Sequence, residues 1–140
     1  MAPDKSRLFD ASSLVELIRH GDGAAAAAFS QYTLDLAFYE AGNSFWNDSA
    51  AQQLVSREDA TDTVDYLDSI REEMLVLSLS DVGATTVFDM AWDEGVTYYD
   101  AAYITAAKET NTLLVTEDGG MADHAPETVS VATAEEIVEE

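Results

Sequence analysis

Short apolar runs recur along the chain, and the stretches between them have helical spacing. Arg7-Leu8-Phe9 is the first run and ends at Asp10. Tyr32-Thr33-Leu34-Asp35-Leu36 and Met74-Leu75-Val76-Leu77-Ser78-Leu79 are the second and third. Thr112-Leu113-Leu114-Val115-Thr116 mixes β-branched and apolar residues, as a strand buried on both faces does. Val129-Ser130-Val131 is the last. Strands that alternate with helices close by right-handed crossovers into a parallel sheet with helices on both faces. The expected class is α/β, and residues 1–140 read as one domain, since domains most often run to ~100–150 residues.

The helical stretches carry start and stop signals. Ser12 or Ser13 is expected to cap a helix through Leu14, Val15, Leu17 and Ile18, which Gly21-Asp22-Gly23 breaks. Asp22 is expected to cap a short helix over the alanines at 24–28, alanine being the best helix former. A helix is predicted over 37–54, with Phe38, Ala41, Phe45 and Leu54 on its apolar side. Another is predicted over 57–73, with Val64, Leu67 and Ile70 on one face. Asp81 is expected to cap a helix that carries Val87, Met90 and Ala91 and stops at Gly95. A helix over 99–109 ends at Asn111. Glu117-Asp118-Gly119-Gly120 reads as a turn, and the acidic tail at 134–140 as one short helix.

Charge sets this chain apart from most small domains. It has 28 acids against 6 bases and a net charge of -22, where a magnitude of ~2–8 is usual. Such self-repulsion loosens a compact state in dilute buffer. At ~1 M salt the Debye length falls to ~3 Å and most of the repulsion disappears. Acid excess with only Lys5 and Lys108 as lysines reads as a halophilic surface, most of whose acids are a solvated skin. In dilute buffer the same charge argues against nucleic acid; in molar salt it steers little. The absence of cysteine excludes disulfides, iron–sulfur clusters, thiolate zinc sites and a cysteine nucleophile. No apolar run approaches the ~20 residues that span a bilayer, and Met1 to Asp10 lack a signal-peptide layout. A cytoplasmic protein with no membrane partner is expected. No phosphate-cradling glycine loop is present, and no Ser–His–Asp order has a local signature.

In parallel α/β sheets the ligand site lies at the carboxyl ends of the strands. Asp10 follows the first run directly, and Asp118 sits at the carboxyl end of the fourth. Asp100 opens the helix before the fourth run, and Glu40 lies early in the helix after the second. Carboxylates crowd together only where something offsets their repulsion. Mg²⁺ or Mn²⁺ does so with oxygen ligands, and Mg²⁺ keeps waters and binds phosphates. Such an ion lowers the pKa of a bound water and stabilises a phosphodiester under attack. The chemistry implied is metal-assisted, in-line phosphodiester hydrolysis with one or two ions.

The wording around each acid is more specific than its spacing. Leu8-Phe9-Asp10-Ala11-Ser12 resembles the opening of PIN-domain proteins, and Glu40-Ala41-Gly42-Asn43 their second motif. Tyr99-Asp100-Ala101-Ala102-Tyr103-Ile104 is similar to the third, and Leu114-Val115-Thr116-Glu117-Asp118 to the fourth, in the family's order. The resemblance implies a three-layer sandwich with a parallel, about five-stranded sheet. It also implies a ribonuclease needing Mg²⁺ or Mn²⁺. Small stand-alone members resemble VapC toxins of type II pairs, which act on RNA, form homodimers and are silenced by a VapB antitoxin. With the charge added, the chain reads as a haloarchaeal member. Asp10, Glu40, Asp100 and Asp118 would then be catalytic metal ligands, one of them helping to orient the attacking water. Ser12 and Thr116 would be supporting polar groups, and Asn43 a contact one turn from Glu40. A housekeeping or rRNA-processing ribonuclease and a non-catalytic PIN-like binding module are the alternatives.

One departure stands out. The stretch after the fourth Asp, Gly119-Gly120-Met121-Ala122-Asp123-His124, carries no Lys or Arg, although nucleic-acid binding leans on such residues. His20 reads as a helix C-terminal residue favoured by the dipole, and His124 as solvated. Trp46 and Trp92 read as core or dimer-interface packing, with base stacking the other possibility.

Overall fold

The computed structural model describes residues 5–139, and the first apolar run is its centre. Strands β1 (Arg7–Phe9), β2 (Tyr32–Leu34), β3 (Leu75–Leu77), β4 (Leu113–Val115) and β5 (Val131–Ala132) form one sheet in the order β3-β2-β1-β4-β5. Every pairing is parallel. Leu8 and Phe9 are fully buried because β1 has neighbours on both edges and helices on both faces. Arg7, Leu8 and Phe9 pair with Leu113, Leu114 and Val115 on one edge, and Leu8 with Tyr32 on the other. Thr33 Oγ1 donates to the Phe9 carbonyl at 2.7 Å, tying β2 to β1. The chain moves outward through β2 and β3, then crosses back over β1 to β4 and β5. That reversal leaves a crevice at the carboxyl ends of β1 and β4.

Helices α1 (Ala11–His20), α2 (Leu36–Trp46), α3 (Arg57–Glu72), α4 (Leu79–Val82), α5 (Ala84–Glu94), α6 (Tyr98–Thr110), α7 (Gly119–His124) and α8 (Ala134–Val138) cover the sheet. Residues 101–107 of α6 are all buried, four of them alanines that let the helix approach its neighbours closely. A helix enclosed on all sides belongs in the interior, and this one fixes where Asp100 and Tyr103 stand. Asn111 ends it in the left-handed conformation at φ 52°, as expected of an asparagine stop.

Several local expectations change. Asp10 itself, rather than Ser12 or Ser13, caps α1, accepting from the Ser13 N–H at 2.9 Å; aspartate caps at least as well as serine. Asp22 caps nothing: the alanines at 24–28 form a tight 3-10 turn entered through Gly23 at φ 77°. α2 ends at Trp46 and widens into a π-helical turn over Asn47–Ala51, which leaves Leu54 70% exposed. Ser78 caps α4 with Asp81 in a reciprocal capping box, and Gly83 at φ 102° divides the expected helix into α4 and α5. The Glu117-Asp118-Gly119-Gly120 turn opens α7. The last strand lies at Val131–Ala132 rather than 129–131. Trp46 and Trp92 are exposed, so neither is core.

Asp10 is the one buried acid among the described residues. The acids of α3 face solvent, as a charged skin requires. Among the described residues no helix is long and apolar enough to cross a membrane. Residues 1–4, part of the stretch read for a signal, and Glu140 of the acidic tail lie outside the described residues.

Candidate active site

Asp10 is fixed by two elements at once, as the residue that leaves β1 and the cap that starts α1. It is 3% exposed, and both carboxylate oxygens are held. Oδ1 accepts from the Ser13 N–H at 2.9 Å and from Ser12 Oγ at 2.8 Å. Oδ2 accepts from Thr116 Oγ1 at 2.5 Å and from Ser12 Oγ at 3.0 Å. The same hydroxyls accept in turn: Thr116 from the Asp118 N–H at 3.0 Å and Ser12 from the Glu117 N–H at 2.9 Å. The loop after β4 is thereby joined to the start of α1. Burial pushes the Asp10 pKa up, while the bonds from Thr116, Ser13 and Ser12 oppose the rise.

Glu40 reaches the crevice from α2. Tyr103 donates its hydroxyl to Glu40 Oε1 at 2.6 Å. Tyr103 lies three residues after Asp100, so both occupy one side of α6. The phenol is 2% exposed; burial and then the Glu40 carboxylate raise its pKa, so it stays a donor. Burial also raises the Glu40 pKa, against the Tyr103 bond, and the charges of Asp10 and Asp100 raise it further. Asp100 is raised by burial and then by Asp118 and Asp10. These acids therefore sense one another across four elements of the fold. Asp118 caps α7, its Oδ1 accepting from the Gly120 and Met121 N–H groups at 2.9 and 3.2 Å. A Cβ at position 120 would stand 3.2 Å from that oxygen, which accounts for the glycine.

Asp10, Glu40, Asp100 and Asp118 line one open cleft of about 350 Å³, together with Ser12 and Tyr103. Thr116 lies beneath Asp10, outside the lining. Asn43 stays out of the cleft and exposed, on the side of α2 that carries Tyr39 and Trp46; Ser44, four residues on from Glu40, takes the place in the lining. Among the described residues no three Asp, Glu or His side chains stand close enough to form a ready-made coordination shell. Both oxygens of Asp10 and one each of Glu40 and Asp118 are instead bonded to hydroxyls or backbone N–H groups. The donor chemistry, carboxylates and hydroxyls without imidazole or thiolate, fits a hard divalent ion that keeps several waters. Tyr103, Ser44, Glu117 and Arg19 also line the cleft; Tyr103 and Glu117 fall within the third and fourth motifs, but the sequence gives none of the four a role there. Helical spacing is the signal that finds three of them: Tyr103 from Asp100, Ser44 from Glu40, and Arg19 from Ser12 through Glu16.

No protein-family model matches the chain. Two proteins of Pyrobaculum aerophilum are similar to it along most of its length. The first, "Ribonuclease VapC3", is 31% identical over 127 residues, which span 86% of this chain and 95% of that protein. "Exonuclease VapC9" is 32% identical over 115 residues, 79% of each. The crystal structure of PAE2754 from the same organism matches with a TM-score of 0.79 at 27% identity, covering 96% of this chain and 88% of that one. A five-stranded parallel sheet in this order, four acids gathered at its switch point and relatives matched along most of their length lead to one conclusion: the chain belongs to the VapC family and has a PIN-like fold.

Proposed function

We propose that the protein is a divalent-metal-dependent endoribonuclease, the toxin of a VapBC-type pair. One observation carries the reading. Four acids from distant parts of the sequence line one cleft at the carboxyl end of the sheet; beyond burial, the charges of Asp10 and Asp100 raise the Glu40 pKa, and those of Asp118 and Asp10 raise that of Asp100. The names of the two relatives, one a ribonuclease and the other an exonuclease, point to the same class of chemistry.

Asp10, Glu40, Asp100 and Asp118 would hold Mg²⁺ or Mn²⁺. When bound, the ion supplies a more acidic water and neutralises charge on the phosphodiester. The protein's own groups prepare the ligands. Thr116, Ser12 and the Ser13 N–H favour the ionised form of Asp10 against its burial. Tyr103 holds Glu40 in one orientation. The start of α7 holds one Asp118 oxygen. An open cleft admits a continuous strand, which supports internal rather than terminal cleavage. The exposed pair Phe88 and Trp92 on α5, ring centres 6.2 Å apart, supports a homodimer or an antitoxin partner, since apolar patches of this kind mark interfaces.

The test is cleavage of one circular and one linear fluorescent RNA in molar KCl, with Mn²⁺ or with chelator. The circle should be opened only with Mn²⁺, and Asp10→Asn should lose ~10²-fold in rate through ion misplacement. Intact RNA at all Mn²⁺ concentrations, or undiminished cutting by Asp10→Asn, would contradict the reading.

A further inference from the structure

We infer that Arg19 is the substrate-phosphate contact of this cleft and that Asp48 holds it until RNA enters; the inference rests on the ribonuclease reading. A cleft lined by Asp10, Glu16, Glu40, Asp100, Glu117 and Asp118 repels a polyanion, and Arg19 is the one base in that lining among the described residues. The other bases stand elsewhere. Arg71 pairs with Asp68 on α3, and Arg57 lines a separate groove with Trp46 and Val64. Lys108 is in the last turn of α6. Lys5 and Arg7 are at the amino end of β1, opposite the cleft. The base absent after the fourth acid is thus supplied from α1, where Ser12, Glu16 and Arg19 follow one another at intervals of four and three along one face.

Arg19 is not idle in the absence of substrate. Its Nη2 donates to Asp48 Oδ2 at 2.6 Å, with the two side chains 49% and 24% exposed. This contact uses one guanidinium nitrogen, and the remaining donors suffice for a forked grip on phosphate. Exposed pairs of this kind hold weakly and are screened further in molar salt. Asp48 lies in the π-helical turn Asn47–Ala51, none of whose residues is buried, so it can give up Arg19 without disturbing the core. Single π turns inside helical stretches are frequent at functional sites. A phosphate beside the scissile one then replaces the Asp48 carboxylate as the partner of Arg19.

The experiment uses a fluorescein-labelled single-stranded RNA with Mn²⁺ across a series of KCl concentrations, on wild type, Arg19→Gln, Asp48→Asn and the double variant. Arg19→Gln should raise KM about tenfold, as loss of one charge-assisted contact does, with kcat within about twofold. It should also flatten the slope of log KM against log [KCl] by about 0.7, the share of one single-strand phosphate contact. Asp48→Asn should lower KM severalfold, and that gain should vanish in the double variant. An unchanged KM and salt slope in Arg19→Gln, with equal small losses of thermal stability in both single variants, would overturn the inference and leave Arg19–Asp48 as a tie between α1 and the end of α2. The inference fails equally if Asp48→Asn lowers KM to the same extent in the Arg19→Gln background. Wild-type protein that cuts no RNA would instead overturn the ribonuclease reading, and this inference with it.

Discussion

Thr116→Val removes one hydroxyl from beneath Asp10 and keeps its volume. The hydroxyl donates to a carboxylate that is 3% exposed and accepts from the Asp118 N–H. A hydrogen bond to a charged group contributes about 1.5–3 kcal/mol. The Asp118 N–H also loses its acceptor, and that range is for the bond to the carboxylate alone. A chain of this length loses about 4 °C of melting midpoint per kcal/mol. Metal-free Thr116→Val should therefore melt about 6–12 °C below wild type in molar KCl with chelator. Thr116→Ser keeps the hydroxyl and gives up one buried methyl, for about 1 kcal/mol. Charged hydrogen bonds are about twice as strong as neutral ones, so in an Asp10→Asn background the valine substitution should cost roughly half as much. The assay is a thermal melt of the four single and double variants followed by circular dichroism. An equal cost of Thr116→Val in both backgrounds, or a serine variant as unstable as the valine one, would show that position 116 matters through packing and not through the Asp10 charge.

Asp10, Glu40 and Asp100 have folded pKa values raised above their ordinary ones, so the folded state holds their protons more tightly and loses stability as pH rises through the raised values. Metal-free Asp10→Asn should gain stability relative to wild type as pH rises from below the ordinary carboxylate value to neutral, and melt above it at pH ~7; a wild type that is the more stable at neutral pH without metal would refute this. With 28 acids and 6 bases, the midpoint should climb steeply between about 0.1 and 3 M KCl as screening sets in, and a flat response would remove the halophilic reading. Thr105 Oγ1 is buried without a hydrogen-bond partner; Thr105→Val should therefore raise stability by about 1 kcal/mol in denaturant titration, and a loss would mean that the hydroxyl has a partner in solution.

The sheet and the four acids are legible in the sequence because each depends on short-range wording. Leu113-Leu114-Val115 cannot be other than a buried strand between a helix ending at Asn111 and an acid at 118. What escapes is decided by contacts between distant segments. The sequence reads Asp10 as a ligand, Ser12 or Ser13 as the cap and Ser12 as a supporting group; in the fold Asp10 is itself the cap, and Ser12 bonds both its carboxylate oxygens. Asn43 and Ser44 follow Glu40 by three and four residues, both within about one helical turn, and only the packing of Ala37, Ala41 and Phe45 turns α2 so that Ser44 enters the cleft. Gly119-Gly120 reads as a turn by propensity, yet Asp118 caps a helix there because Met121 is buried behind it. Trp46 and Trp92 read as packing residues on hydrophobicity alone, which does not tell a core position from an exposed one.

Whether the four acids share one ion is decided by calorimetric titration of Mn²⁺ into the metal-free protein in molar KCl, where weak binding to surface acids is screened. Wild type and the surface control Asp65→Asn should bind Mn²⁺ alike. Asp10→Asn, Glu40→Gln, Asp100→Asn and Asp118→Asn should each bind at least ~10-fold more weakly, since each removes an anionic oxygen from one shared site. Equal affinity in all six proteins, or a loss confined to one of the four acids, would show that no single ion is held between them.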